Sequence, residues 1–238
     1  MLHGPQQGVF DLTFQVPSQC AREVAEGRAD IGIIPSVELN DHDYGRVHGL
    51  GIASRGPVRS ILLVSTQPLT RIRTLAGDIS SRTSVALVQM ILSRKYGAQP
   101  QIIAHPPDLP AMLQVADAAL LIGDPALHLD PGKLPYHVTD LGAEWTEMTG
   151  LPMVFAIWAG RKEAVTPEVE GHFHGSYQFG RDHLEEIVRL ESATRGIPVA
   201  LARDYLKRHI VCELGQPEYE GLERFLAYAK TAREAATV

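Results

Sequence analysis

Short apolar segments alternating with amphipathic helical segments constrain the fold of this chain more than any other feature of its sequence. Ala29–Ile34 and Ala118–Ile122 are short, mostly apolar runs that end at Pro35 and at Gly123. Runs of this kind are typical of strands that are buried on both faces, as in parallel sheets. Segments with helical periodicity of their apolar residues separate them. This alternation predicts an α/β protein with a helical C-terminal segment.

The remaining elements follow from periodicity and from capping residues. Further strands are predicted at residues 9–16, 49–54, 60–65, 71–79, 101–104 and 154–158. Helices are predicted at residues 18–26, 85–96, 110–115, 181–191, 198–208 and 217–235, with another beginning at Thr166-Pro167. Two apolar strands flank a self-contained α/β stretch, which predicts one lobe of residues 1–64 with 150–238 and a second lobe of residues 65–149. Cys20 and Cys212 are both expected in helices, as buried thiols of a reducing compartment.

Composition excludes several classes of protein. The 238 residues carry a net charge of −6, so the basic surface that nucleic-acid binding needs is absent. Apolar stretches are all shorter than the roughly 18 residues of a membrane-spanning helix, and the first residues do not resemble a secretory signal. A cytoplasmic protein without nucleic-acid or membrane partners is therefore expected. Oligomeric state lies beyond the sequence, and a homodimer stays open.

The run Ser80-Ser81-Arg82-Thr83-Ser84 is the strongest candidate for a binding site. It stands between a predicted strand and a predicted helix, where free backbone N–H groups and the helix dipole favour an anion. The hydroxyl groups add neutral donors, and Arg82 can bind a carboxylate through two hydrogen bonds. The alternative is that Ser80 or Ser81 only caps the helix. Four hydroxyl groups and an arginine exceed what a cap needs, so the run predicts anion binding.

Three other corners carry polar side chains after apolar strands. Ser36 and Glu38 follow the strand 29–34, where Ser36 is either a ligand contact or an ordinary N-cap. Ser54 and Gly56 belong to a turn that also holds Arg55 and Arg59, and this turn is either an anion contact or a solvated loop. Asp124 follows the strand 118–122 and is either a catalytic acid or base or a cap of the next helix. These residues complete the candidate site.

Motifs for metals and nucleotides are weak or missing. His172 and His174 are two residues apart, which places them on different faces of a helix, and the two cysteines lack metal-site spacing. Gly49-Leu50-Gly51 lacks the rest of a dinucleotide fingerprint, and no phosphate-binding loop of the G-x-x-x-x-G-K type occurs. The sequence therefore predicts no metal site.

Five segments in this order resemble one family over nearly the whole chain. They are residues 29–38, 53–60, 80–87 and 118–124, together with the Thr149-Gly150-Leu151-Pro152 stretch that runs to Ala156. They are similar to the chorismate dehydratase family of the futalosine route to menaquinone. The resemblance implies a two-lobed fold of the type II periplasmic-binding-protein kind, with ligand between the lobes and no metal or organic cofactor.

The implied reaction removes water from chorismate and gives 3-[(1-carboxyvinyl)oxy]benzoate. Chorismate has two carboxylates, which suits a cleft of hydroxyl groups and helix N-termini; Ser36, Ser54, Gly56, Ser81, Arg82, Thr83 and Ser84 are the expected substrate contacts. Asp124 and Glu38 are the candidate bases, and a carboxylate of the substrate is a third. Two alternatives stay open: a small-anion binding protein of the same fold, and another enzyme of the same pathway.

The start of the chain departs from the family pattern. The family begins with a strand and a Tyr-Leu-Asn-type turn near the ligand, and no residues here match them. An exposed edge of the first lobe's sheet, or an irregular N-terminal segment across it, is therefore expected. Weak or absent dehydratase activity of the chain is expected as well.

Overall fold

The computed structural model describes residues 1–77 and 81–236. Within that part of the chain the strands are β1 (Ile31–Pro35), β2 (Gly45–Ser54), β3 (Ile61–Ser65), β4 (Thr74–Gly77), β5 (Gln101–Ala104), β6 (Ala118–Ile122), β7 (His137–Asp140), β8 (Met153–Gly160) and β9 (Val211–Glu213). The helices are α1 (Pro17–Ala25), α2 (Arg82–Tyr96), α3 (Leu109–Val115), α4 (Asp124–Leu127), α5 (Leu141–Thr149), α6 (Pro167–Asp182), α7 (Leu184–Arg195), α8 (Val199–Asp204) and α9 (Gln216–Ala236). A π-helical turn, Tyr205–His209, follows α8, and a 3-10 turn, Ser36–Asn40, follows β1.

The strands form two sheets. The first has the order β1-β8-β2-β9 and is antiparallel throughout, whereas the second has the order β5-β4-β6-β3-β7. In the second sheet β4 runs parallel to both β5 and β6, and β3 runs antiparallel to β6 and β7. The predicted α/β class and helical C-terminal segment are thus confirmed. The apolar run of β1 does not indicate a parallel strand, since its partner β8 runs antiparallel to it.

Two connections join the sheets. The chain passes from the first to the second between β2 and β3, and it returns between α5 and β8. The division into lobes stays a prediction, but its first boundary needs one adjustment. β3 lies on the first-lobe side of a boundary after residue 64, yet all of its ladder hydrogen bonds go to β6 and β7 of the second sheet. A boundary drawn by sheet membership therefore falls between Ser54 and Ile61.

Helix α9 packs against both halves of the molecule. Phe225 is fully buried and meets the ring of Trp145 in α5 edge-on, with centroids 6.0 Å apart. The same apolar core includes Val37 of the 3-10 turn and Leu87 of α2. Helix α9 contacts α2, β8 and the 3-10 turn, and α2 also contacts the 3-10 turn directly. The 3-10 turn and the start of α2 carry most of the predicted site.

The strand predicted at residues 9–16 is wrong. Residues 1–16 are irregular, and the side chain of Phe14 is 72% exposed. Phe10 packs on Phe173 of α6, and the amino group of Met1 donates to the Ser176 hydroxyl, 2.6 Å away. Alternating apolar residues form a strand only where a neighbouring strand supplies hydrogen bonds, and this segment instead lies on a helix. β1 and β9 are the edge strands of the first sheet.

Other differences concern the second half of the chain. Cys212 lies in β9, not in a helix, whereas Cys20 lies in α1 as predicted. The sequence analysis also missed β7 and α5, although local signals for α5 are present. Asp140 caps its N-terminus by accepting hydrogen bonds from the N–H groups of Gly142 and Ala143, and Gly150 ends it in the left-handed conformation.

Candidate functional site

The 3-10 turn after β1 meets the first turn of α2, and buried hydroxyl groups make the contact. The Ser36 hydroxyl donates to the carbonyl of Val154 in β8 at 2.7 Å. The Thr83 hydroxyl lies 3.4 Å from that of Ser36 and accepts a hydrogen bond from the Val37 N–H at 3.3 Å. Ser36, Thr83 and Ser84 are each at most 2% exposed. We call these three residues the hydroxyl cluster.

The N-terminus of α2 adds backbone donors to this cluster. Ser81 stands at the N-cap position, but its hydroxyl group accepts no hydrogen bond from the helix. It donates instead to the Ser84 hydroxyl, 2.9 Å away. The alternative that the Ser81 side chain caps the helix is therefore wrong, and Ser80 lies outside the described residues. A helix start of this kind favours an anion through its N–H groups and its dipole.

An ion pair links the same two elements. The Arg82 guanidinium donates to Glu38 Oε1 at 2.6 Å. The Glu38 side chain is only 4% exposed, whereas that of Arg82 is 51% exposed. Arg82 thus neutralises a buried carboxylate, while about half of its own side chain stays exposed. The pair connects the end of β1 to the start of α2.

Ser54 and Gly56 lie across β8 from Ser36. Ser54 is paired with Met153 in the β2–β8 ladder, one residue before the Val154 carbonyl that Ser36 binds. The Ser54 hydroxyl donates to the Gly56 carbonyl at 3.0 Å, and Gly56 has a φ of +98°, which favours glycine. This turn therefore starts on the strand next to β8, with β8 between it and the hydroxyl cluster.

Asp124 belongs to a different environment. It opens α4 after β6, and β6 is the parallel neighbour of β4, so α2 and α4 begin at the same edge of the second sheet. Its carboxylate accepts a hydrogen bond from Arg195 at the end of α7, 2.8 Å away, and is 40% exposed. Its described partner is thus a residue of the C-terminal segment and not a member of the hydroxyl cluster.

The sequence analysis missed two carboxylates that hold the turn after β2. Glu218 in the first turn of α9 is fully buried and accepts hydrogen bonds from Arg55 Nε at 2.7 Å and the Gly215 N–H at 2.9 Å. Burial pushes the pKa of Glu218 upward, but these two hydrogen bonds outweigh burial and hold it below its usual value. Asp140 binds the far side of the turn. A carboxylate directly after Gly215-Gln216-Pro217 was the available signal for Glu218.

Neither a metal cluster nor a membrane span is present in residues 1–77 and 81–236. No three His, Cys, Asp or Glu side chains converge there in a way that could hold an ion. Helices long and apolar enough to cross a bilayer are likewise missing from this part of the chain.

Comparison of the sequence with known families gives a match over residues 1–231 to a family described as menaquinone biosynthesis. A chorismate dehydratase of Thermus thermophilus is 27% identical over 234 residues, which cover 91% of this chain and 85% of that protein. A chorismate dehydratase of Campylobacter jejuni is 28% identical over 222 residues, with 90% and 82% covered.

Solved structures with the same fold include binding proteins. A protein from Archaeoglobus fulgidus superposes with a TM-score of 0.68 at 17% identity, covering 92% of this chain and 84% of that one. The periplasmic aliphatic sulphonate binding protein of Escherichia coli superposes with a TM-score of 0.62, also at 17% identity, covering 94% and 81%. These similarities confirm the periplasmic-binding-protein-like fold. With a family match over almost its whole length, the chain is a member of the menaquinone biosynthesis family.

Proposed function

We propose that this protein is a chorismate dehydratase, a cofactor-independent lyase that removes water from chorismate to give 3-[(1-carboxyvinyl)oxy]benzoate. The observation that carries the proposal is the hydroxyl cluster of Ser36, Thr83 and Ser84, buried where β1 meets the N-terminus of α2. Buried hydroxyl groups beside a helix N-terminus suit a carboxylate ligand. The two relatives named chorismate dehydratase supply the identity of that ligand.

The substrate carries two carboxylates, and the site offers two kinds of partner. One carboxylate binds at the start of α2, to Thr83, Ser84 and the backbone N–H groups of the first turn. Arg82 retains N–H groups beyond the one given to Glu38 and adds positive charge at the same place. The turn of Ser54 and Gly56 forms the wall across β8. Ser36 and Ser81 complete the set by holding the hydroxyl groups of Thr83 and Ser84 in place.

The chemistry requires few groups from the protein. A base takes the proton from ring carbon C3, the electron pair forms a ring double bond, and the C4–oxygen bond breaks. The departing hydroxide takes up a proton and leaves as water. Because the product ring is aromatic, much of the driving force lies in the substrate, and the protein mainly has to position it.

Three groups are candidates for the base: Glu38, Asp124 and a carboxylate of the substrate. Both protein carboxylates are bound to an arginine, Glu38 to Arg82 and Asp124 to Arg195. Each protein carboxylate is thus already engaged by a cation of this chain. This arrangement supports the substrate carboxylate as the group that takes the proton.

The test is incubation of the purified chain with chorismate, followed by mass spectrometry and ultraviolet absorbance. The expected result is a product one water molecule lighter, formed in proportion to protein and absent after heat inactivation. Binding of chorismate without conversion would favour a small-anion binding protein instead. If chorismate is neither converted nor bound, the proposal is contradicted. The other intermediates of the pathway would then be tried.

A further inference from the structure

The connection between β2 and β3 is held from α5 by side-chain acceptors. The Asp140 carboxylate accepts hydrogen bonds from the backbone N–H groups of Val58 at 3.0 Å and Arg59 at 2.6 Å. The Thr146 hydroxyl accepts one from the N–H of Gly56 at 3.1 Å. Three backbone N–H groups of one short turn are thus bound by Asp140, which is the N-cap residue of α5, and by Thr146 within α5. The turn is therefore attached to α5 by three hydrogen bonds.

Packing and backbone conformation show how closely the two parts fit. A Cβ atom on Gly142 in the first turn of α5 would lie 2.6 Å from the Gly56 carbonyl oxygen and 2.7 Å from the Ser54 hydroxyl. Arg59 has a φ of +66°, which is unfavourable for a residue with a side chain. Such a conformation persists only where neighbouring contacts impose it, and the bond from the Arg59 N–H to Asp140 is one of them.

The Arg59 side chain extends the connection to α4. Its guanidinium donates to the carbonyl groups of Ala126 and Leu129, which lie in and just after the short helix that Asp124 opens. Burial lowers the pKa of Arg59, although the nearby Asp140 and Asp130 raise it. The turn thus begins after Ser54, is bound by Asp140 at Val58 and Arg59, and is connected to α4 through the Arg59 side chain.

We infer that Asp140 is a positioning residue for the reaction. It fixes the turn after β2, and thereby places Ser54 and Gly56 at the proposed substrate site. This inference rests on the proposed function, since it needs a reaction in which Ser54 and Gly56 contact the substrate. Asp140 itself binds backbone N–H groups and does not touch the reacting atoms.

The discriminating variant is Asp140→Asn. Its amide oxygen can still cap α5, since Asn is as good an N-cap as Asp, but its NH2 group cannot accept the hydrogen bond from Arg59. The matched control is Asp108→Asn, because Asp108 caps α3 by accepting from the Ala111 N–H at 3.1 Å and makes no described hydrogen bond to the turn. Both variants exchange a capping carboxylate for an amide.

Two measurements on each variant separate positioning from stability. We expect Asp140→Asn to lower kcat for chorismate at least tenfold and to speed amide hydrogen exchange in the peptide covering residues 55–60. Asp108→Asn is expected to leave both unchanged, with a similar thermal midpoint. Unaltered exchange at residues 55–60, or unaltered kcat in an otherwise active protein, would overturn the inference.

A second pair of variants keeps the inference testable if Asp140→Asn does not fold. Thr146→Val removes the acceptor for the Gly56 N–H, whereas Thr146→Ser retains it. We expect the valine variant to lower kcat and the serine variant to restore it; equal rates would overturn the inference. If the unaltered protein does not convert chorismate, the proposed function fails, whereas faster exchange in Asp140→Asn still upholds the fixing of the turn.

Discussion

The corner that holds Thr83 and the corner that holds Asp124 both begin helices at the same edge of the second sheet, yet their surroundings differ. Thr83 is 2% exposed and bonds to residues of the first sheet's 3-10 turn. The Asp124 side chain is 40% exposed and bonds to Arg195 of the C-terminal helices. The corner of Thr83 joins the two sheets through buried hydroxyl groups together with the Arg82–Glu38 ion pair. The corner of Asp124 joins the second sheet to the helical segment through its ion pair with Arg195.

The difference bears on which corner binds an anionic substrate. Neutral donors in a dry site can give their hydrogen bonds to a charged ligand without competition from water. A carboxylate accepts hydrogen bonds and so gives an anion no donor, and Arg195 is already paired with that of Asp124. We therefore assign substrate binding to the corner of Thr83. Three variant sets test the comparison.

Replacing Thr83 and Ser84 together by alanine is expected to have the largest effect. The change removes two donors to a charged group, each worth roughly 1.5–3 kcal/mol, so chorismate binding should weaken by about a hundredfold or more. Isothermal titration calorimetry on the folded variant gives the dissociation constant.

The matched control is Ser192→Ala in α7. Its hydroxyl group is also buried, and it has no hydrogen-bond partner in the described residues. We expect chorismate affinity to be unchanged in this variant. If the double variant retained wild-type affinity while folded, the corner of Thr83 would not be the binding site.

The fold was predictable from the sequence where burial and pattern agree. The apolar run of β6 and the apolar strand β8 were recognisable without partners, because burial on both faces selects such residues. The segment 9–16 alternates apolar and polar residues but is irregular, with Phe10 packed on Phe173 of α6. Whether a segment finds a strand to pair with is decided in the assembled sheet, and a local sequence pattern does not predict it.

The candidate site was predictable in part. The run from Ser81 to Ser84 was recognisable from its position before a helix. The pairing of Arg82 with Glu38, which are 44 residues apart, depends on the contact between α2 and the 3-10 turn after β1 in the folded chain. Asp140 was missed because its bonds go to backbone N–H groups of a distant turn, which no side-chain motif reveals.

Replacing the carboxylates singly tests the other half of the comparison. We expect Asp124→Asn and Glu38→Gln each to lower kcat by less than about tenfold, because general-base catalysis is worth roughly a hundredfold to ten-thousandfold and the substrate carboxylate supplies it. The pH dependence of kcat/KM is measured alongside. A thousandfold loss in one variant, with loss of the low-pH limb, would instead identify that residue as the base.

The smallest expected effect concerns the anchoring of the turn after β2 from α9. The pKa of Glu218 is lowered in the folded protein by its bonds to Arg55 and Gly215, so the unfolded chain binds more protons near the ordinary pKa of a glutamate. The stabilisation is complete above that ordinary value, about 4.3, and is lost as the pH falls through the lowered pKa. Glu218→Gln keeps the shape of the side chain but removes its charge. The free energy of unfolding, measured in urea, should therefore be about 1–2 kcal/mol lower than that of wild type at neutral pH. In strong acid it should be nearly the same as that of wild type. Glu220→Gln, an exposed neighbour on the same helix, is the control and should show no difference at either pH. A Glu218 variant as stable as wild type at neutral pH would mean that the turn is held from α5 alone.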